Sequence, residues 1–520
     1  MAYGGGTFTA HNKKLPGTYI NTVARNRATA TLSDRGVATV ALALDWGRDS
    51  EMITVTATDF YKNSQKLFGY AYDAPQMFEL RELFLNAVRA NVYKLTSSST
   101  GIATNAYATA KCSGARGNDL CVRCEGADGW YVSSTSGTEG ALEIVADSAT
   151  PTSTQIKLSD VTPTADGYTP TTGGYTLYTV TKYAVSLHLV EPTGGEQILD
   201  KQTVATSADL IDNEWVTWNK ENSLAETGDA GTYLAGGVTA TVTGAAYQNF
   251  LDLAESYACN IMTVGATDAV TLNLLKSYCI RMREEEGVKF QLVIYGKAAS
   301  LAPDHEGIIN VWTKPAAGKN NYTISYRSAG TVTTQTKSRD DSAWVWWVAG
   351  AQAGCAVNRS VGSKAYDGEL ELDVLTAKAD LEESIESGHF DAHRNGDKIL
   401  VLDDINSLTT TTDIKNSDFK LNQVIRVNDA NANAVADVMG TKYYDRYNNN
   451  EDTRRFIKND LTAILQQLAM IGAIEKPEGN DWSGVVIVEE IDSDRQAVEI
   501  SEEYKVTVAI NKSYVTVNVI

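Results

Sequence analysis

Histidine is scarce in this chain of 520 residues, with five copies, and cysteine is hardly commoner, with six. So few histidines leave little raw material for metal or acid–base centres. Cys112, Cys121, Cys124, Cys259, Cys279 and Cys355 are too sparse for a disulfide framework, and free, mostly buried thiols are expected. No run of 18 apolar residues exists, so no membrane-spanning helix is expected. A basic surplus is also lacking. The net charge of −20 argues against a general nucleic-acid binder and against docking on an anionic membrane. Met1-Ala2-Tyr3-Gly4-Gly5-Gly6 has no basic-then-apolar leader, so the chain is expected to stay in the cytoplasm or leave it by lysis. No Walker loop, GxSxG elbow or GxGxxG at a strand–helix junction is present. Neither an enzyme nor a cofactor is called for.

What is present is ordinary globular material. Hydrophobic content of 43% with 21% charged residues supports substantial cores, and the length suggests two to four domains. Residues 1–24 read as an arm, with Gly4–Gly6, the Pro16-Gly17 turn and a short strand at Thr18–Val23. Residues 25–111 open an α/β core with strand candidates Val37–Leu44 and Met52–Thr56 and a helix begun by Pro75. Residues 112–238 turn rich in Thr, Ser and Gly, with short alternating runs at Thr154–Leu158 and Ala184–Val190, and read as an inserted, mostly β domain. Residues 239–355 return to strand–helix alternation. Thr243 and Asp268 are helix caps, Ile261–Val264 and Lys289–Tyr295 are strands, and a helix starts at Asp340 or Asp341. Residues 356–520 form an α+β block: strand Lys398–Leu402, helix Phe456–Ile474, then alternating segments Val485–Val488, Tyr504–Ile510 and Tyr514–Val519. The fold class is therefore α/β and α+β, multidomain.

Four features invite chemistry, and each has a plainer reading. Cys121-Val122-Arg123-Cys124 lacks a second ligand pair for zinc and a following helix for redox work. His389 and His393 stand four apart, but Phe390 occupies the position a zincin gives to Glu, and Gly388 and Gly396 bracket the pair. Glu284-Glu285-Glu286 closes a helix, where the dipole disfavours negative charge, so it is a solvated face or meets a basic partner. Trp344, Trp346 and Trp347 read as core packing rather than a ligand cage, since Trp344 and Trp347 share a helix face. No metal site is expected.

The two ends are opposite in charge. Residues 1–48 carry six basic and two acidic side chains, whereas 478–503 carry nine acidic and one basic. Tyr514–Ile520 is an apolar-rich strand that must pair at home or enter a neighbour's sheet. A heterologous contact of that kind that does not close grows into a helical filament.

A resemblance joins these pieces. Pro16-Gly17-Thr18-Tyr19-Ile20, Ala30–Val37, Leu44-Asp45-Trp46-Gly47, Gly114-Ala115-Arg116-Gly117-Asn118-Asp119-Leu120, Asp404-Ile405-Asn406-Ser407-Leu408-Thr409, Asn422–Val427 and Ile471-Gly472-Ala473-Ile474 occur in the order of contractile phage tail sheath proteins, as in myophages and tailocins of Gram-positive bacteria. The chain resembles that family over nearly its whole length, apart from about 126–236. The resemblance implies a structural subunit of a virion or tailocin particle, assembled in the bacterial cytoplasm. It would polymerise helically on a tail tube protein, meet baseplate and tail terminator proteins, and bind neither nucleic acid nor membrane. Contraction would release energy stored at assembly. It also implies that the C-terminal domain is completed by strands exchanged between subunits. Thr18, Tyr19, Ile20 and Val23 would be donated at one end, and Tyr514, Val515, Val517 and Val519 at the other. Lys398, Ile399, Leu400, Val401, Val506 and Val508 would belong to the receiving sheet. The competing readings are a surface adhesion or display protein carrying the β insertion, and an α/β enzyme using residues 244–354.

Overall fold

The computed structural model describes residues 35–97, 100–126, 182–239, 244–297, 300–328 and 330–517, with 150 and 242. It also gives the backbone of strands Gly4–Gly6 and Gly17–Tyr19, which pair in parallel, and of six short strands between Gly129 and Val180. The chain forms two units. One holds Asp34–Ile425 with Ile510–Ile520, the other Met1–Ser33 with Arg426–Ala509.

The larger unit is built on a seven-stranded sheet in the order His389–Phe390, Ile308–Val311, Gln291–Tyr295, Ile261–Val264, Val37–Leu42, Arg89–Lys94, Met52–Thr56. Every neighbouring pair is parallel except the last. Strands covered on both faces need apolar side chains at nearly every position. The buried runs VATVAL and IINV meet that demand. Alternation then sorts them. Val40, Leu42, Val293 and Tyr295 join a core with Trp344 and Trp347, while Ala41, Met262, Leu292 and Ile294 join one with Phe250, Leu272 and Leu275. Asp268 caps the Ala269–Glu284 helix by accepting from Thr271 N, as its position predicts. The Val345–Gly354 helix starts later than Asp340 or Asp341, because turns closed by Ala343 N on Asp340 O and Val345 N on Ser342 O come first. It is buried on every side, and Trp344 and Trp347 stack at 6.0 Å against each other.

The β insertion has its own core, including Val122, Cys124, Leu187, Leu189 and Trp218. Its sheet runs Glu196–Val204, Tyr183–Val190, Leu120–Gly126, Thr232–Tyr233. Leu120 to Gly126 pair antiparallel with Leu189 to Tyr183, and Gly129 to Ser134 pair with Val180 to Tyr175 in the same register. One ribbon therefore carries a distal sheet ordered Gln155–Lys157, Leu142–Val145, Gly129–Ser134, Tyr175–Val180.

In the smaller unit the Glu451–Met470 helix starts five residues before the expected Phe456, because Asn450 caps it by accepting from Thr453 N. Ile457, Leu461, Ile464, Leu465 and Leu468 are buried as the spacing predicts. Ile471 is not: it falls at the C-cap and is exposed, and Gly472 at φ 73° ends the helix. A hairpin follows, Val486–Ile491 against Asp494–Glu502. Tyr504–Ile510 forms a single bridge, Val506 to Ile474, rather than the expected strand. Residues 511–517 are likewise in no strand. Alternation makes a segment able to pair; a strand also needs a neighbour of some length, and here the pairing is limited to Glu475 N on Lys505 O and Thr507 N on Ala473 O about that bridge.

Candidate functional site

The sequence-predicted assembly residues are dispersed. Thr18 and Tyr19 lie in the Gly17–Tyr19 strand, while Ile20, Val23 and Val519 fall outside the described residues. Val506 makes its one bridge and Val508 is exposed. Tyr514, Val515 and Val517 are 95, 80 and 78% exposed, an apolar stripe standing in solvent. Lys398, Ile399, Leu400 and Val401 form a strand with neighbours on both edges. Ala392–Asn395 pairs on one side, and residues 363–366 bond Ile399 and Val401 on the other. That strand is thus engaged on both edges within its own chain.

The open edges are in the Val486–Ile491/Asp494–Glu502 hairpin. Each of its strands has a strand neighbour on one side alone among the described residues. The sequence marked Val485–Val488 but not the second strand, whose run of acids hid the pattern Val498, Ile500. Asn431 reaches Glu502 and Tyr504 OH donates to Asn428 Oδ1 at 3.1 Å, tying the hairpin's end to the Asn422–Val438 helix.

The other residues singled out by sequence act as braces. Gly114 sits at φ 117° with its α-carbon against Asp45, where a β-carbon would come within 2.1 Å of the Asp45 carbonyl oxygen. Arg116 is buried. Its Nε donates to Gly69 O at 2.8 Å and Nη1 to Asp119 at 3.0 Å, Glu191 closes a bidentate pair, and Tyr70 lies under the guanidinium at 4.3 Å. Burial alone would lower the Arg116 pKa, but the bonds to Glu191 raise it overall. Burial pushes Asp119 up to about 6 against the pull of Arg116. Asn118 donates to Gly237 O at 2.8 Å and accepts from Gly237 N at 2.9 Å, which joins the two ends of the insertion side by side.

A second brace fixes the connection to the Asn422–Val438 helix. The buried Asp404 carboxylate accepts from Gln352 at 2.7 Å, Val361 N at 2.9 Å, Asn422 at 3.0 Å and Ser360 at 3.2 Å. Asn406 donates to Phe419 O at 2.8 Å and accepts from Leu408 N at 3.0 Å. Asp304, which the sequence did not mark, accepts from Thr409 and Thr410; burial opposes its charge, yet these bonds hold its pKa well below the usual carboxylate range. Glu284 does meet a basic partner, within the chain: Lys415 bridges it at 3.3 Å to Glu306 at 3.0 Å. His305 Nε2 lies 3.3 Å from Glu284. These three side chains are spaced to hold a cation. However, His305 Nδ1 accepts from Gly307 N at 2.9 Å, so in the neutral ring the proton sits on Nε2, and Lys415 already supplies the positive charge.

The remaining tempting groups are built into sheets. Cys121 and Cys124 are buried in one strand, and burial raises both thiol pKa values. His389 stacks on Trp312 at 3.6 Å, and burial with Lys297 lowers its pKa to about 4; His393 lies in the next strand. Ser186, His188 and Glu196 are connected in the order of a hydrolytic triad, with Ser186 Oγ 2.7 Å from His188 Nε2 and Glu196 on Nδ1. Ser186 and His188 are buried in mid-strand, where both flanking ladders use the backbone N–H groups an oxyanion would need.

Three family models match the chain in order. They are the tail sheath protein Gp18 domain III N-terminal region at residues 35–95, the phage tail sheath protein central domain at 240–407, and the phage tail sheath C-terminal domain at 414–520. The phage-like element PBSX protein XkdK of Bacillus subtilis is 26% identical, covering 98% of this chain and all of its own length. The crystal structure of a sheath tail protein from Desulfitobacterium hafniense is 27% identical, covers 95% of this chain and 98% of its own, and superimposes with a TM-score of 0.67. A sheath tail protein from Listeria innocua shares the fold at 23% identity and TM-score 0.65, covering 92% of this chain and 93% of its own.

Proposed function

The chain belongs to the phage tail sheath family, and from that premise we propose that it polymerises helically around a tail tube protein and contracts to drive the tube through a bacterial envelope. It is a structural protein of a contractile tail, working in a virion or tailocin particle assembled in a bacterial cytoplasm. Its partners are further copies of itself, the tube, the baseplate and the tail terminator. The observation that carries this reading is the exposed stripe Tyr514, Val515, Val517 in a chain that also holds a hairpin with open edges. Unpaired strand and unpaired edge in one chain are complementary between copies. About six backbone hydrogen bonds at roughly 1 kcal/mol net each, with apolar burial added, make a strong link. The receiving edge is the Val486–Glu502 hairpin, and Val506 and Val508 complete the receiving sheet. Gly17–Tyr19 and the segment through Val23 form the second donated strand. Contraction is a bistable change of packing between subunits that remain linked, released over a kinetic barrier.

Deleting Tyr514–Ile520 tests this. The truncated chain is expected to give the same circular dichroism and unfolding midpoint as the full chain but no striated tubes by electron microscopy, alone or with the tube protein. Normal tubes from the truncated chain would overturn strand exchange.

A further inference from the structure

A cavity of about 350 Å3 lies beyond the carboxyl ends of the Val37–Leu42 and Ile261–Val264 strands. The sheet order reverses between these two. From Val37–Leu42 the chain fills the Arg89–Lys94 and Met52–Thr56 positions on one side, then reaches Ile261–Val264 on the other. Connections that depart to opposite sides open a crevice at such a point, and ligands of open α/β sheets bind there.

Five charged side chains line this space: Asp45, Glu79 and Asp340 on the acidic side, Lys337 and Arg339 on the basic side. Arg339 stacks between Phe78 at 4.1 Å and Tyr322 at 3.8 Å and donates Nη2 to Pro75 O at 2.8 Å. Among the described residues its other guanidinium N–H groups have no acceptor. Glu79 opens the Phe78–Phe84 helix, and its carboxylate meets its own backbone N–H and no other described donor. Burial lowers the Arg339 pKa and raises that of Glu79, and each charge offsets the other's shift only in part. The rest of the lining is mixed: Leu44, Met77, Ile324 and Trp346 are apolar, while Tyr247 and Tyr322 bring hydroxyls.

A phosphate here would face Asp45, Glu79 and Asp340, and a plain organic cation would face Arg339 and Lys337. A small molecule bearing an ammonium and a carboxylate on one carbon satisfies both sides. We propose that this cavity binds a free α-amino acid, with its carboxylate on Arg339, its ammonium on Glu79 and an apolar side chain against Leu44 and Trp346. Binding belongs to the single subunit and does not depend on assembly.

The test uses the full chain dispersed before assembly, with each of the common L-amino acids at about 10 mM in a thermal-melt assay. At least one apolar amino acid is expected to raise the midpoint by several degrees, whereas its N-acetyl and carboxamide derivatives, each lacking one charge, do not. Glu79→Gln and Arg339→Lys are expected to keep the far-ultraviolet spectrum and weaken binding about tenfold or more by calorimetry. If no amino acid shifts the midpoint, or if either derivative shifts it equally, the proposal falls. The derivatives decide even where a variant fails to fold.

Discussion

Glu82 is fully buried in the Phe78–Phe84 helix and accepts from Tyr366 OH at 2.9 Å and Glu369 N at 2.6 Å. Burial pushes its pKa up to about 7, with the nearby Glu369 adding to the rise and Arg81 opposing it. A folded-state pKa above the unfolded value means that the protonated form favours the fold. That contribution is complete below the unfolded carboxylate range and is lost as pH rises through 7. Stability is therefore expected to drop between pH 5 and pH 8 by on the order of 2–3 kcal/mol from this group, and Glu82→Gln to flatten the drop. Urea midpoints of both proteins at the two pH values check this; equal slopes would remove Glu82 from the account. Single residues were the least legible level of the sequence. Arg116, Asn118 and Asp404 stood inside the patterns that carried the family resemblance, but their work depends on Glu191, Gly237 and Gln352, which are remote in the chain. Asp304 and Lys415 gave no local signal at all, because each acts on a partner brought near by the fold.

Elements whose partners are local were readable. The cap at Asp268, the buried stripe Ile457 to Leu468 and the buried strands of the central sheet follow from spacing and capping alone. Tyr504–Ile510 and Tyr514–Val517 show the limit, since alternation marks a capacity to pair and the partner is not given by the segment itself. The register of the insertion's ribbon was equally hidden, because it joins residues up to 69 positions apart. That register has a testable consequence. Gly126 and Tyr183 stand opposite each other, so replacing residues 127–182 by Asn-Gly closes the ribbon with a two-residue turn. The shortened chain is expected to fold, with its unfolding midpoint moved by no more than a few degrees, about 1 kcal/mol or less. Loss of a cooperative transition would show that the distal sheet is needed for the core.

At the scale of the whole molecule, charge is distributed unevenly. Of the nine acidic side chains in 478–503 all but Glu502 are exposed, and the N-terminal 48 residues carry the basic excess. Changing Lys13, Lys14, Arg25 and Arg27 together to Glu is expected to weaken tube formation strongly at low salt and little at high salt, since exposed charges are screened beyond about 10 Å at 0.1 M. Pelleting assays across a salt series check this, and a deficit independent of salt would exclude charge complementarity. The insertion carries a mechanical meaning of its own. Its outgoing and returning strands lie side by side in one register from Leu120 to Ser134. A pull on the distal sheet along that ribbon is borne by two covalent backbones in parallel, and the ladder hydrogen bonds between them carry no load. The force is delivered whole to the root, where Asn118 clasps Gly237 and Arg116 clasps Glu191. The stalk acts as a tether, and the first thing to yield under strain is its anchorage.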